Sequence, residues 1–427
     1  MSSKGKGKAK GKAAAKTTGI GMKGEGKATL VPKLRFPQFR REGWVKRKAG
    51  SLFANRITKG EQGLPIYSVT THNGMVKRDS IDRNFYDIED ASGNKKACKN
   101  DIAYNMMRMW QGASGVAPVD CLVSPAYIVL APRKDADPAF FQFLFKLPET
   151  LLLLTSHSRG LTKDRLRLYY DNFARIPLLC PTPAEQQRIA ECLSSVDEMI
   201  AAQARKVEEF KTHKKGLMQE LFPREGETRP RLRFREFRKK KEWEPKRLSS
   251  EIDLISGMHL PPEQYSPAGD VPYFSGPSDY TDEIKSITKW TKRSANMAAP
   301  DDTLITVKGS GVGEVWYSTF PAVAMGRQLM AIRSKQGSSR FIFQFLLTKK
   351  TRFEDLGSGN LIPGLSRADI LEMEAHFPSP AEQQRIADCL SSLDTLVTAA
   401  TQKLDALKLH KKALMQQLFP APEEVEA

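Results

Sequence analysis

Thr182–Pro183–Ala184–Glu185–Gln186–Gln187–Arg188–Ile189–Ala190 opens a stretch that ends at Leu221–Phe222–Pro223. Ser379–Pro380–Ala381–Glu382–Gln383–Gln384–Arg385–Ile386–Ala387 opens a second, which ends at Leu418–Phe419–Pro420. The two align without a gap, and about 25 of the paired positions are identical. Each copy reads as one long helix. Thr182 or Ser379 is placed to act as N-cap, and Pro183 or Pro380 suits the first helical position, where no N–H is needed. Glu185 or Glu382 falls three residues after the cap, the spacing of a capping box. Beyond it, apolar residues follow a 4-3-4-3 rhythm: Ile189, Leu193, Val196, Ile200, Val207, Phe210, Leu217 and Leu221 in the first copy. Ile386, Leu390, Leu393, Val397, Leu404, Leu407, Leu414 and Leu418 repeat it in the second. This is a heptad seam, the pattern of a helix lying along another helix. Lys214 and Lys411 interrupt both seams at the same register, and Pro223 and Pro420 stop the helices. At 1.5 Å per residue each helix is about 60 Å long. The spacing predicts that each helix packs on the other copy, but heptads alone do not set direction.

The repeat extends beyond the helix. Leu34–Arg35–Phe36–Pro37–Gln38–Phe39–Arg40, followed by Trp44 and Lys46–Arg47–Lys48, returns as Leu232–Arg233–Phe234–Arg235–Glu236–Phe237–Arg238, followed by Trp243 and Lys246–Arg247. A period near 197 residues is too long for a solenoid and implies two homologous halves. The expected division is a basic tail over 1–30, a first body over 31–180 and a first spacer helix over 181–223. A second body follows over 224–378, beginning with a linker over 224–231; then come a second spacer helix over 379–420 and an acidic tail over 421–427.

The two bodies differ in sequence but share an order of elements. Leu64–Val69 and Ala126–Leu130 read as strands in the first, Thr303–Val307 and Gln328–Ile332 in the second. Ala139–Phe145 and Arg340–Leu346 read as short aromatic helices. Ser156–Leu161 and Gly357–Ser366 read as Gly/Ser-rich loops, each followed by an apolar strand that leads into the long helix. Two diverged bodies on two nearly identical supports imply a shared task for the supports and different tasks for the bodies.

The 427 residues carry 67 Lys+Arg against 49 Asp+Glu, a net charge of +18, which points to a polyanion such as nucleic acid. Eight lysines and one glutamate fall in residues 1–28, a composition expected to stay disordered and able to neutralise phosphates. Five scattered cysteines without a C-x-x-C pair argue for reduced thiols rather than a disulfide scaffold or zinc site. No apolar run is long enough to span a bilayer, and no apolar core follows the first lysines as a secretory signal requires. The expected location is the cytoplasm.

Catalytic patterns are weak. Lys308–Gly309–Ser310–Gly311–Val312–Gly313 resembles a phosphate loop, but Glu314–Tyr317 after it reads as strand, and a phosphate loop needs a helix N-terminus there. A glycine-rich hairpin is the better reading. Asp270 with Glu283 and Lys285 only loosely matches a metal-dependent nuclease, and the histidines form no ligand cluster. No metal site and no catalytic residue is expected. The candidates for DNA contact are basic and amide side chains on loops. In the first body Asn105, Arg108 and Gln111 suit base edges, and Lys77, Arg78, Arg159, Lys163 and Arg165 suit phosphates. Lys308, Ser310, Arg327, Ser358 and Asn360 are their counterparts in the second.

Taken together, the P-x-P-A-E-Q-Q-R-I-A phrases at Pro181–Ala190 and Pro378–Ala387, the endings Lys214–Pro223 and Lys411–Pro420, and Asn105–Gly115 followed by Val123–Tyr127 closely resemble the specificity subunits of type I restriction-modification systems. The resemblance covers nearly all of Pro32–Pro420 and leaves out the lysine-rich tail. It implies an α+β fold: two mixed α/β target-recognition domains joined by two long antiparallel coiled-coil helices with a pseudo-twofold repeat. It implies that each domain reads half of a bipartite, asymmetric double-stranded DNA site, with the helices setting the gap. Two modification (methyltransferase) subunits, carrying S-adenosylmethionine and methylating adenine N6, would dock on the repeated regions. Restriction subunits, using ATP and Mg, would complete the complex. The chain itself would have no cofactor and no catalysis. The alternative is a stand-alone DNA-binding scaffold or regulator without an enzymatic partner.

Overall fold

A computed structural model describes residues 31–81, 91–292, 296–358 and 364–420. The expected tails over 1–30 and 421–427, and Asn360, lie outside the described residues. The chain forms two compact units. The first comprises residues 1–197 and 409–427, the second residues 198–408.

The first unit is built on a four-stranded antiparallel sheet in the order Phe53–Arg56, Tyr127–Pro132, Ile102–Asn105, Ser114–Val116. One face is covered by the aromatic helix Pro138–Leu144, whose N-cap Asp137 accepts a hydrogen bond from Phe140 N. Phe140, Phe141 and Phe145 are fully buried against Phe53, Tyr104 and Phe173. The other face carries a second apolar cluster around Ala103, Cys121, Val123 and Val129, roofed by the hairpin Tyr67–Val69/Met75–Lys77 and the pair Lys95–Ala97/Cys121–Val123. A short ribbon, Val45–Lys48 with Pro177–Cys180, leads into the first long helix, Pro183–Leu221.

The second unit repeats the sheet order with Ile252–Ser256, Leu329–Ser334, Thr303–Thr306 and Val315–Tyr317. Its aromatic helix is Ser339–Thr348, and its ribbon pairs Glu244–Arg247 with Glu374–Phe377 before the second long helix, Pro380–Leu418. The bodies part company beyond the shared sheet. The second unit has a further four-stranded sheet, in which Val271–Phe274 pairs in parallel with Val323–Met325. Both units bury an aspartate at the start of a central strand and clamp it with an arginine. Arg56 holds Asp101 at 2.5 and 3.1 Å, and Arg333 holds Asp302 at 2.9 and 2.7 Å. The arginines come from different strands of the sheet, so the two bodies satisfy the same buried charge by different routes.

The helix bounds agree with the sequence reading, but the glutamate expected to close a capping box does something else. Glu185 accepts two 2.7 Å hydrogen bonds from Arg35 and one of 3.4 Å from Trp44 Nε1. Glu382 accepts the matching set from Arg233, at 2.7 and 2.7 Å, and from Trp243, at 3.3 Å. The next residue is also buried. Gln186 donates to Pro181 O and Asp135 O and accepts from Asp137 N, tying the start of the long helix to the cap of the aromatic helix. Gln383 repeats this with Pro378 O and Ser338 N. The repeated Glu-Gln pair is therefore a buttress inside each unit. The next two residues of each phrase, Gln187 and Arg188 in the first and Gln384 and Arg385 in the second, are exposed.

The apolar seam serves two purposes. Ile189, Leu193, Leu414 and Leu418 join the core of the first unit, as Leu217, Leu221, Ile386 and Leu390 join that of the second. The middle residues Ile200, Val207, Phe210 and Leu404, with Ala204 and Ala400, form the helix-to-helix cluster. Val196 is buried, and Leu393, Val397 and Leu407 are half-buried. Direction, which the heptads leave open, is antiparallel. In the second unit Gln203 donates to Ala400 O and Lys214 binds Asp394 at 2.6 Å. In the first, Lys411 binds Asp197 at 2.6 Å, while Leu418 and Phe419 reach the cluster of Ile189 and Leu193. The lysines that break the seam thus have carboxylate partners. Each unit's core is also completed by the end of the other copy's helix. Phe419 packs on Trp44 and Phe140, at ring separations of 6.0 and 5.4 Å. Phe222 packs on Trp243 and Phe341, at 6.5 and 5.3 Å.

Candidate nucleic-acid interface

In the first unit, Asn105 ends a central strand, and its side-chain oxygen accepts from Met107 N at 3.0 Å, turning the chain. The turn closes at Gly112, which has φ +79°, and leaves Arg108 and Gln111 exposed. Arg159, Lys163 and Arg165 sit on a second loop, closed by backbone bonds between Arg159 and Arg167. Leu168 N donates to Met106 O at 2.9 Å, so these two loops are joined. Ser156, expected to open this loop, is the last residue of the helix Pro148–Ser156. Lys77 and Arg78 are not brought to this group. They lie at the open end of the hairpin, whose register pairs Tyr67 with Lys77. Its tip, Thr70–Gly74, is what meets the Asn105–Gly115 loop. The tip presents His72 and Asn73 to solvent, and neither was singled out in the sequence, although Asn73–Gly74 is the commonest hairpin-turn dipeptide.

In the second unit the glycine-rich run is a loop between antiparallel strands, and no helix follows it. Gly309, Gly311 and Gly313 all have positive φ, at 86, 88 and 84°, so the run needs glycine for its path. Lys308 and Ser310 are exposed on it. Lys308 also makes a backbone bridge to Gly364, and Gly364 N donates to Gly357 O beside Ser358. Ser358 is the last residue of the helix Lys350–Ser358 rather than a loop residue, and its hydroxyl donates to Asp355 O. Arg327 is exposed in the turn before Leu329, next to Gln328, whose backbone carbonyl accepts from Val307 N at 2.7 Å. Lys308, Ser310, Arg327 and Ser358 are therefore neighbours through the backbone. Gln328 and the segment Ser275–Asp279 belong with them and carried no signal in the sequence. Asp279 anchors that segment. Burial opposes its charge, but hydrogen bonds from Ser275 and from the Lys289 ammonium hold its carboxyl below the usual range.

These loops offer amides, hydroxyls and cations on glycine-shaped backbone, the chemistry that binds phosphates and base edges. Among the described residues no three His, Cys, Asp or Glu side chains are grouped to hold a metal ion, and no helix is long and apolar enough to cross a membrane.

The type I restriction modification DNA specificity domain matches residues 42–211 and again residues 240–409. A specificity subunit assigned to the type I restriction enzyme MjaX of Methanocaldococcus jannaschii is 27% identical over 308 residues, covering 70% of this chain and 68% of that one. The MjaVIII type I restriction enzyme specificity subunit of the same organism is 22% identical over 370 residues, covering 80% and 83%. The crystal structure of the S subunit of the type I restriction-modification system from M. genitalium superposes with a TM-score of 0.61 at 18% identity, covering 92% of this chain and all of that one. With two matches that span most of its length, the chain belongs to the type I restriction modification DNA specificity domain family.

Proposed function

We propose that this two-domain specificity subunit reads a split, asymmetric double-stranded DNA site, each unit taking one half. The observation that carries the reading is the pairing of an identical buttress with different loops. Arg35–Glu185–Trp44 and Arg233–Glu382–Trp243 hold the same sheet and helices in both units, while the exposed loops differ in sequence and path. Two equal scaffolds with unequal recognition surfaces suit a target whose halves differ. Arg108 and Gln111 are the base-reading candidates of the first unit, with Arg159, Lys163 and Arg165 on phosphates. Lys308, Ser310, Arg327 and Ser358 serve the second.

The long helices set the gap between half-sites and dock two modification subunits, which bring S-adenosylmethionine. Restriction subunits bring ATP and Mg. The chain contributes recognition and no catalysis, and the complex works in the cytoplasm. Gel-shift titration of the full chain with and without modification subunits tests this: a duplex holding a two-part site is bound tightly in the assembled complex. Methylation by the chain alone would contradict the non-catalytic role. Tight, specific binding by the chain alone, with no effect of the modification subunits, would favour a stand-alone scaffold.

A further inference from the structure

Lys146 stands out among the lysines of the first unit. It follows the aromatic helix, and its ammonium reaches between two candidate reading loops. It donates to Thr71 O, in the hairpin tip, at 2.9 Å, and also to Gly112 O, in the Asn105–Gly115 loop. No carboxylate is bonded to it among the described residues. The two loops also touch through their backbones. A Cβ on Gly115 would collide with Met75 N and Gly74, so the hairpin lies directly on the strand that follows the loop. Gln142 supports the same junction by accepting from Val116 N at 3.2 Å.

We propose that Lys146 is a positioning residue for DNA recognition, fastening the hairpin tip that carries His72 and Asn73 to the loop that carries Arg108 and Gln111, so that the two are presented to DNA as one surface. The inference rests on the reading that the first unit recognises half of a DNA site, and it adds His72 and Asn73 to that surface. A neutral residue would be the ordinary choice for a purely structural contact here. Partly burying an ammonium without a counter-ion costs stability, and this desolvation pushes its pKa down to about 8. What an ammonium adds is geometry: several strong donors can gather carbonyls from separate segments at one point. Counted from the matching N-cap positions Asp137 and Ser338, the second unit has Leu347 in place of Lys146, still within its aromatic helix, so the fastening is specific to the first half of the chain.

The test uses the full chain assembled with its modification subunits, and duplexes altered in one half-site at a time. Lys146→Met is expected to weaken binding of the intact site at least tenfold and to erase discrimination at one half while leaving the other within twofold of wild type. Its melting temperature is expected not to fall. Lys146→Arg, which keeps the charge and the donors, is expected to restore discrimination. Unchanged discrimination at both halves in Lys146→Met overturns the inference. So does a drop in melting temperature with loss of binding at both halves, which would make Lys146 a fold support. Wild-type protein without discrimination at either half would refute the half-site reading itself, and the inference with it.

Discussion

Arg35 and Glu185, 150 positions apart, form a buried two-point ion pair at 2.7 Å on each bond, with side-chain exposures of 7% and 1%. Hydrogen bonding to Glu185 raises the Arg35 pKa above its usual value, which keeps the guanidinium charged. Truncating one partner leaves the other charge buried and alone. Arg35→Ala is expected to destabilise the first unit by about 3–5 kcal/mol. Replacing both residues with apolar side chains of similar volume should cost much less. Denaturant titration of the two single variants and the double variant measures the coupling.

Phe419 belongs by sequence to the second repeat, yet it closes the core of the first unit against Trp44 and Phe140. Phe419→Ala is expected to cost that unit about 3–5 kcal/mol. Limited proteolysis should then cut first within residues 31–197. Cleavage confined to residues 198–408 would contradict the assignment.

Lys214 and Asp394 join the long helices in the second unit at 2.6 Å, with the carboxylate partly exposed. A pair of this kind contributes on the order of 1 kcal/mol or less. Asp394→Lys places two like charges together and should lower the melting temperature, and adding Lys214→Asp should recover most of the loss.

Lys146 gives the first unit a definite response to pH. Its folded pKa of about 8 lies below the ordinary lysine value of 10.5, so between these limits the unfolded chain binds the extra proton. Stability tied to this group is present above the unfolded value and is lost as pH falls through about 8. The melting temperature of wild type relative to Lys146→Met is therefore expected to rise from pH 8 toward 10.5. His72 at the hairpin tip, Arg108 on the loop and Glu149 on the following helix are the charged or titratable side chains of the packed segments, and all are common to wild type and variant.

The long helices were legible in the sequence because their information is local: a Pro at the first turn, a periodic seam, a Pro at the end. The same holds for the aromatic helices and the strands beside them. The partner of Glu185 was not legible, because a capping box and a distant arginine both satisfy a carboxylate at that position, and only the fold decides between them. That Leu418 and Phe419 fill the core of the first unit, and Leu221 and Phe222 that of the second, was hidden for a similar reason, since the two copies have the same apolar residues and either could fill either core. In the candidate interface, charge and glycine content marked the loops. They did not show that Lys77 and Arg78 sit away from the hairpin tip, or that Lys146 joins two loops from beneath.

Whole-turn insertions in the long helices test their role as a spacer. An insertion in matched positions of both is expected to lengthen the tolerated gap while preserving both half-sites, as read by methylation of a random-site library. Altered half-sites with an unchanged gap would place recognition in the helices.

The most direct test is methylome sequencing of host DNA with and without this chain. The account predicts an adenine-methylated motif of two unlike specified parts separated by a fixed unspecified gap, present only with the chain. Altering Gln111 should change one part alone. A motif that persists without the chain, or that is continuous or symmetric, would contradict recognition by two different units.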